Sequence, residues 1–288
     1  MKRSSALPTG IIKVNSEGMH RQDDMLAAEE PLEIRISFFD SGKRLQKSIS
    51  VTMRTPGNDF ELSTGFLFTE GIIKSVNDIN TIKHCNGLHE NVVRIDLKDD
   101  VEVELSRLER NFYTTSSCGV CGKSSLEAVK TVRRYIASNN NDALRFSSDI
   151  ISGFPAVLRG GQAIFDSTGG LHACGLFDTC GKLLITREDV GRHNALDKLI
   201  GTVLNQTVIS FESSLLLLSG RASFELIQKA YMAGIKVVAA IGAPSSLAVR
   251  MAEEFGMTLI GFLKGRSFNI YTGAERITMA PFEKWSQS

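Results

Sequence analysis

Two cysteines spaced C-x-x-C, Cys118 and Cys121, lie in the run Thr114-Thr115-Ser116-Ser117-Cys118-Gly119-Val120-Cys121-Gly122-Lys123. Small polar residues precede the pair, a glycine follows each cysteine, and apolar residues at Leu126, Val129, Val132 and Ile136 predict a helix over 124–137. A thiol at a helix N-terminus is held partly as thiolate, because unpaired first-turn N–H groups and the helix dipole favour the anion. Three chemistries fit. A zinc site would need a second ligand pair, and neither His84-Cys85 nor His172-Ala173-Cys174 has paired-ligand spacing. A dithiol cycling to a disulfide and a thiolate carrying sulfur as a persulfide both remain open, and the residues alone do not separate them. Cys85, Cys174 and Cys180 read as small buried apolar fillers.

A second constellation is Glu188-Asp189-Val190-Gly191-Arg192-His193-Asn194. His193 is placed to move a proton or bond a heterocycle, with Glu188 or Asp189 orienting it. Asp189 by itself reads as the N-cap of a helix from Val190 to Leu204. His172, beside Gly169-Gly170, serves equally as a site residue or as a core histidine bonded to backbone.

The elements that must position these groups change character along the chain. Residues 1–28 are polar with little periodicity, expected to be extended and loosely ordered. Residues 29–113 form a β-rich α+β portion. Ile34–Phe38 and Ile49–Met53 flank a turn at Asp40-Ser41-Gly42, and Val92–Leu97 and Val101–Leu105 flank Lys98-Asp99-Asp100, giving two expected hairpins. Between them Pro56-Gly57-Asn58 opens a helix over Asp59–Glu70 that Gly71 stops. Residues 114–288 form an α/β portion carrying the CxxC loop. Strands at Leu215–Leu218, Ile235–Ile241 and Met257–Leu263 alternate with helices at Phe224–Met232 and from Ser246 to Phe255, the pattern of a parallel sheet with right-handed crossovers.

Ligands of such sheets bind beyond the carboxyl ends of the strands. Three loops fall there: Ser219-Gly220-Arg221-Ala222-Ser223, Ala243-Pro244-Ser245-Ser246 and Lys264-Gly265-Arg266-Ser267. The first two feed helix N-termini, and Arg221, Lys264 and Arg266 add cations, which together suit a nucleotide-sized anion. Taken singly, each loop is ordinary turn chemistry, and Arg221 has Glu225 one helical turn on as a partner. No P-loop or dinucleotide fingerprint is present. A hydrophobic content of 42% with 23% charged residues is globular, and a net charge of +1 gives no field favouring nucleic acid or a membrane surface. No apolar run reaches membrane-span length, no apolar segment follows Lys2 and Arg3, and five sparse cysteines argue against a disulfide framework. A cytoplasmic protein is expected.

Six ordered blocks then carry a resemblance: RTPGNDFELSTGFLFTEG (Arg54–Gly71), CGVCGK (Cys118–Lys123), TGGLHA (Thr168–Ala173), EDVGRHNALDK (Glu188–Lys198), LSGRAS (Leu218–Ser223) and APSSL (Ala243–Leu247). Over Pro31 to Thr272 the chain resembles the formate dehydrogenase accessory sulfurtransferase family, FdhD. The resemblance implies a cytidine-deaminase-like α/β/α sandwich preceded by a β-rich α+β portion, assembled as a homodimer. It implies a sulfur carrier with no permanent metal: a cysteine desulfurase loads sulfane sulfur onto Cys118 as a persulfide, with Cys121 assisting. The sulfur then passes to the molybdenum or tungsten bis(molybdopterin guanine dinucleotide) cofactor of formate dehydrogenase. The family's cofactor-binding stretch matches Phe262, Leu263, Lys264, Gly265, Arg266 and Ser267, agreeing with the anion edge at Ser219, Gly220, Arg221, Ser223, Ser245 and Ser246; His193 and Arg192 would line the same pocket. Cys174 stands where alanine is common. The rival classes are a CxxC thiol-disulfide oxidoreductase and a zinc-binding deaminase-like hydrolase, the latter needing a glutamate that Ala173 and Cys174 do not supply beside His172.

Overall fold

A computed structural model describes residues 4–85, 91–103, 143–206 and 208–279. The CxxC loop and the helix expected at 124–137 lie outside the described residues. The chain is mixed α/β and divides into two compact units. One comprises Met1–Ala137, Gln162–Cys174 and Arg187–Ile209; the other comprises Ser138–Gly161, Gly175–Thr186 and Ser210–Ser288. Both are discontinuous in sequence, so compactness does not follow the linear division at residue 113.

In the first unit, β1 (Ala6–Asn15) and β2 (Gly18–Ala27) form a two-stranded antiparallel arm, a paired hairpin where a loosely ordered segment was expected. A four-stranded sheet follows in the order β4-β3-β6-β5, from β3 (Glu30–Asp40), β4 (Lys43–Arg54), β5 (Ile79–His84) and β6 (Val92–Leu97). The β3–β4 hairpin turns at Ser41-Gly42, both at positive φ, as the sequence implies. The second expected hairpin is corrected. The antiparallel partner of β6 is β5, and β3 flanks it in parallel; residues 101–103 form no strand, and Leu105 lies outside the described residues.

Helix α1 (Asp59–Thr69) starts after Asn58 in a left-handed conformation and stops before Gly71 at φ 70°. It crosses a later helix of the same unit, Arg192–Leu204, at a reciprocal glycine contact. A Cβ on Gly65 would fall 1.9 Å from the Asp197 carbonyl oxygen, and one on Gly201 would fall 1.9 Å from that of Glu61. The two backbones nearly touch, and Thr69 Oγ1 donates to Asp197 Oδ1 at 2.9 Å beside them.

The second unit holds α2 (Ser148–Gly160), which the sequence pattern did not reveal; α3 (Ala163–Thr168) follows in the first unit. A six-stranded sheet has the order β13-β12-β11-β10-β8-β9. Its strands include β8 (His172–Phe177) and β9 (Leu183–Asp189), and α4 (Arg192–Leu204) follows β9. β10 (Leu215–Leu218), β11 (Val237–Ala240) and β12 (Thr258–Lys264) are mutually parallel, and β13 (Ser267–Thr272) returns antiparallel; two-residue β7 (Phe146–Ser147) and β14 (Ile277–Thr278) pair separately. The central strands read Leu-Leu-Leu-Leu and Val-Val-Ala-Ala with every residue buried, as strands covered on both faces require. Helices α5 (Phe224–Met232) and α6 (Ser246–Glu254) make the crossovers within a residue or two of the sequence expectation.

Candidate functional site

At the carboxyl edge of β10, β11 and β12 the backbone itself joins the first two loops to each other and to the end of β12. Gly242 N–H donates to Gly220 O at 2.9 Å, Ala222 N–H to Ala243 O at 3.2 Å, and Ser245 N–H to Ala222 O at 2.9 Å. Phe262 N–H then donates to Gly242 O at 3.1 Å, tying the end of β12 into the same lattice. Space is tight where the loops meet: a Cβ on Gly242 would lie 3.0 Å from Arg221 Cγ and 3.1 Å from Gly220 O. Lys264–Ser267 is the tight turn of the β12–β13 hairpin, with Gly265 at φ 55°, and it does not lead into a helix as the other two loops do.

Among the described residues, the exposed cations Arg221, Lys264 and Arg266 make no ion pair, and Arg221 does not bond Glu225. Ser245 and Ser246 are exposed, but Ser245 Oγ accepts from Ala248 N–H at 3.2 Å and so caps α6. Leu263 is fully buried in β12, which makes it core beneath the edge. Phe262 is the unusual member: its φ is 54°, it sits at a register shift of β12, and half its surface is exposed. A bulky side chain in the left-handed region is an outlier that strains the chain by about 1–2 kcal/mol. Exposed cations and a solvent-facing ring on one helix-feeding edge suit a phosphate-bearing heterocycle.

His193 belongs to the first unit, and there the expected roles change. Asp189 is not a helix cap: α4 starts at Arg192 with Gly191 as N-cap, and Asp189 is the fully buried last residue of β9. Its Oδ2 meets Lys198 Nζ at 2.7 Å and accepts from Thr55 N–H at 3.1 Å; its Oδ1 accepts from Gly191 N–H at 2.8 Å and Asn194 Nδ2 at 3.2 Å. Lys198 Nζ also donates to Thr55 O at 2.8 Å, and Asn194 Nδ2 to Met53 O at 2.8 Å. Glu188 accepts from the N–H groups of Ile164 and Phe165, serving the first turn of α3. Both carboxylates offered as orienters of His193 are thus occupied with other groups. The adjoining Arg54, fully buried, makes a two-pronged pair with Asp59 at 2.9 Å for each contact. Reading the blocks as motifs found most residues of this network but not their pairing, since the bonds to Met53 and Thr55 join positions more than 130 apart.

The remaining thiols separate. Cys174 is buried, and burial first, then the charges of Asp197 and Asp189, push its thiol far above the ordinary range, holding it neutral. Cys85 is half-buried and Cys180 exposed, so neither is the buried filler expected. Among the described residues no cluster of His, Cys, Asp and Glu is arranged to hold a metal, and no helix is long and apolar enough to cross a membrane. A cavity of about 530 Å³ that the sequence gave no sign of opens in the first unit between Phe60, Val76 and Ile82 and the polar Arg187, Thr202 and Asn205. Burial lowers the Arg187 pKa there, opposed by the charge of Glu61.

Residues 27–278 match the FdhD/NarQ family. The chain belongs to that family. It is similar to the sulfur carrier protein FdhD of Streptomyces coelicolor, 46% identical over 275 residues and covering 93% of this chain and 94% of that one. The FdhD of Mycolicibacterium paratuberculosis is 51% identical over 260 residues, 88% and 92% of the two chains. Among solved structures, a candidate formate dehydrogenase accessory protein from Desulfotalea psychrophila superposes with a TM-score of 0.71 at 23% identity, over 96% of this chain and all of that one, and so shares the fold.

Proposed function

We propose that this chain is a cytoplasmic sulfur carrier that matures formate dehydrogenase. The Cys118 thiolate attacks the outer sulfur of a cysteine desulfurase persulfide. The donor S–S bond breaks, the desulfurase leaves as thiolate, and Cys118 holds the sulfane sulfur. Delivering that atom as sulfide needs two electrons. Cys121 supplies them by attacking Cys118 Sγ, which forms a Cys118–Cys121 disulfide as the sulfide leaves; a dithiol reductant resets the pair. The substrate is the molybdenum bis(molybdopterin guanine dinucleotide) cofactor of formate dehydrogenase, and the guanine nucleotide end docks at the strand edge of a homodimeric carrier.

The single observation that carries this reading is that edge, where backbone hydrogen bonds tie the first two loops to the end of β12, and the exposed cations Arg221, Lys264 and Arg266 and the strained, half-exposed Phe262 all lie on it. The cations suit the diphosphate and the ring suits the base. Membership of a family whose relatives are sulfur carriers supports the thiol half. The test is mass spectrometry after incubation with a cysteine desulfurase and cysteine. One added sulfur atom is expected on the Cys118 peptide, accumulating in Cys121→Ala and absent in Cys118→Ala. Cys118→Ala should still bind GDP, whereas Arg266→Ala should weaken GDP and still load sulfur. Loading of Cys118→Ala to the wild-type extent would remove the assigned role.

A further inference from the structure

The β1–β2 arm is paired in register over all ten residues of each strand, yet its outer half exposes apolar side chains. Ile12, Val14 and Met19 are 62%, 67% and 76% exposed. An isolated two-stranded hairpin is at best marginally stable in water, so such an arm calls for a surface to lie on. Its root has one in α3, but the pairs from Gly10/Asp23 outward are solvent-facing on both strands apart from a half-buried Ile11.

Directly opposed residues of an antiparallel pair share a face. One face of the arm therefore carries, from root to tip, Ala6/Ala27, Pro8/Met25, Gly10/Asp23, Ile12/Arg21 and Val14/Met19. Its only charged side chains, Arg21 and Asp23, are neighbours on β2, both exposed, and neither makes an ion pair among the described residues. This pattern is complementary to itself. If two such faces stack with strands antiparallel about a two-fold axis lying between the Asp23 and Arg21 pairs, Arg21 of each copy meets the partner's Asp23. Met19 then covers the partner's Met25, and Val14 the partner's Pro8. Sliding the axis by one rung either way sets arginine on arginine or aspartate on aspartate, so charge selects a single register.

We infer that the face of the β1–β2 arm bearing Met19, Arg21 and Asp23 is a two-fold contact with a second copy of this chain. This rests on the homodimer reading above and gives it a location. Ten residues at about 3.4 Å each, on two strands about 4.8 Å apart, offer about 340 Å² of flat surface per copy and about 700 Å² between two. That is smaller than a stable specific interface, so the arms alone hold the copies weakly and reversibly.

Sedimentation velocity on the full chain from about 1 to 100 µM tests this, with circular dichroism confirming that each variant keeps the wild-type fold. Arg21→Asp and Asp23→Arg should each raise the dimer dissociation constant about tenfold or more, because each sets like charges opposite one another. The combined exchange, Arg21→Asp with Asp23→Arg, should restore it to within about threefold, which no general loss of fold would do. Met19→Asp should weaken it without rescue. A wild type that stays monomeric throughout overturns the homodimer reading and the arm together. A dimer that none of these substitutions weakens overturns the arm and leaves the homodimer standing. Variants that remain dimers but no longer accept sulfur from the desulfurase would give the arm to that partner and refute the inference.

Discussion

Removing the charge of Asp189 should damage the first unit more than removing the charge of its partner, Lys198. The carboxylate is fully buried and the ammonium 2% exposed, so solvent compensates neither. Losing one member of a buried pair leaves the other unbalanced, at about 3–5 kcal/mol. The environments place the two substitutions at opposite ends of that range. In Lys198→Met, Asp189 still accepts from Thr55 N–H, Gly191 N–H and Asn194 Nδ2, three donors that hold its charge in place. In Asp189→Asn, Lys198 keeps only carbonyl oxygens, Thr55 O at 2.8 Å and Glu188 O at 3.4 Å. The new amide must also turn its NH₂ toward a donor, since both oxygens of Asp189 accept. We therefore expect about 3 kcal/mol for Lys198→Met and about 5 kcal/mol for Asp189→Asn. At about 2–4 °C per kcal/mol for large domains, thermal midpoints should fall by roughly 6–20 °C, followed by circular dichroism with urea titration as a second measure. Losses below about 1 kcal/mol for both would mean the pair behaves like a solvated surface bridge. Lys198→Met proving the worse would refute the argument that the donors around Asp189, rather than Lys198, do most to hold its charge.

Two further outcomes follow from the same unit. Gly65→Ala and Gly201→Ala should each destabilise by at least the 1–3 kcal/mol of an overpacked core, because the contacted atoms are backbone carbonyls that cannot rotate away; a melting curve within about 1 °C of wild type would show the helices separating freely. The Asp96 carboxyl feels burial most strongly, which raises its pKa. Hydrogen bonds from Arg94 and Thr81 and the charges of Arg94 and Lys83 together outweigh that and hold it below the ordinary 3.8. A depressed folded-state pKa gives stability that is fully present above the unfolded value and lost as pH falls through the folded one. The stability difference between wild type and Asp96→Asn should accordingly be constant near neutrality and shrink below pH 3.8, and a difference that grows on acidification would contradict the assigned direction.

How much of this was legible in the sequence depended on whether the deciding interaction was local. Phe224–Met232 was delimited correctly because its start follows a serine-bearing turn and its end meets Gly234, signals within a few residues. The strands around it are short continuous apolar runs, which is what burial on both faces demands. Asp189 looked like a helix cap from its neighbours, and only Lys198 and Thr55, the latter 134 positions away, make it a buried counter-ion. The β6 strand was paired with the wrong partner for a related reason: Lys98-Asp99-Asp100 is acceptable turn chemistry, whereas the parallel β3–β6 register is written nowhere near it. The arm was missed because its alternation is diluted by charge on both faces, leaving no clean period-two signal.

The carboxyl edge of the second unit shows how convergence that the sequence only suggested becomes rigid. Phe262 would relax by leaving the left-handed region, yet its N–H is committed to Gly242 O, at a residue where an added Cβ would press on Arg221 and Gly220. Next door, a Cβ on Gly261 would lie 2.7 Å from Pro244 Cδ, so the strand runs close against the second loop. Buried Leu263 anchors the following residue in the core and leaves the ring of Phe262 outside. Strain maintained by surrounding structure at an exposed aromatic is characteristic of ligand-binding positions. Here the maintenance is the backbone bond from Phe262 to Gly242, so the conformation of the ring depends on the loop that follows β11.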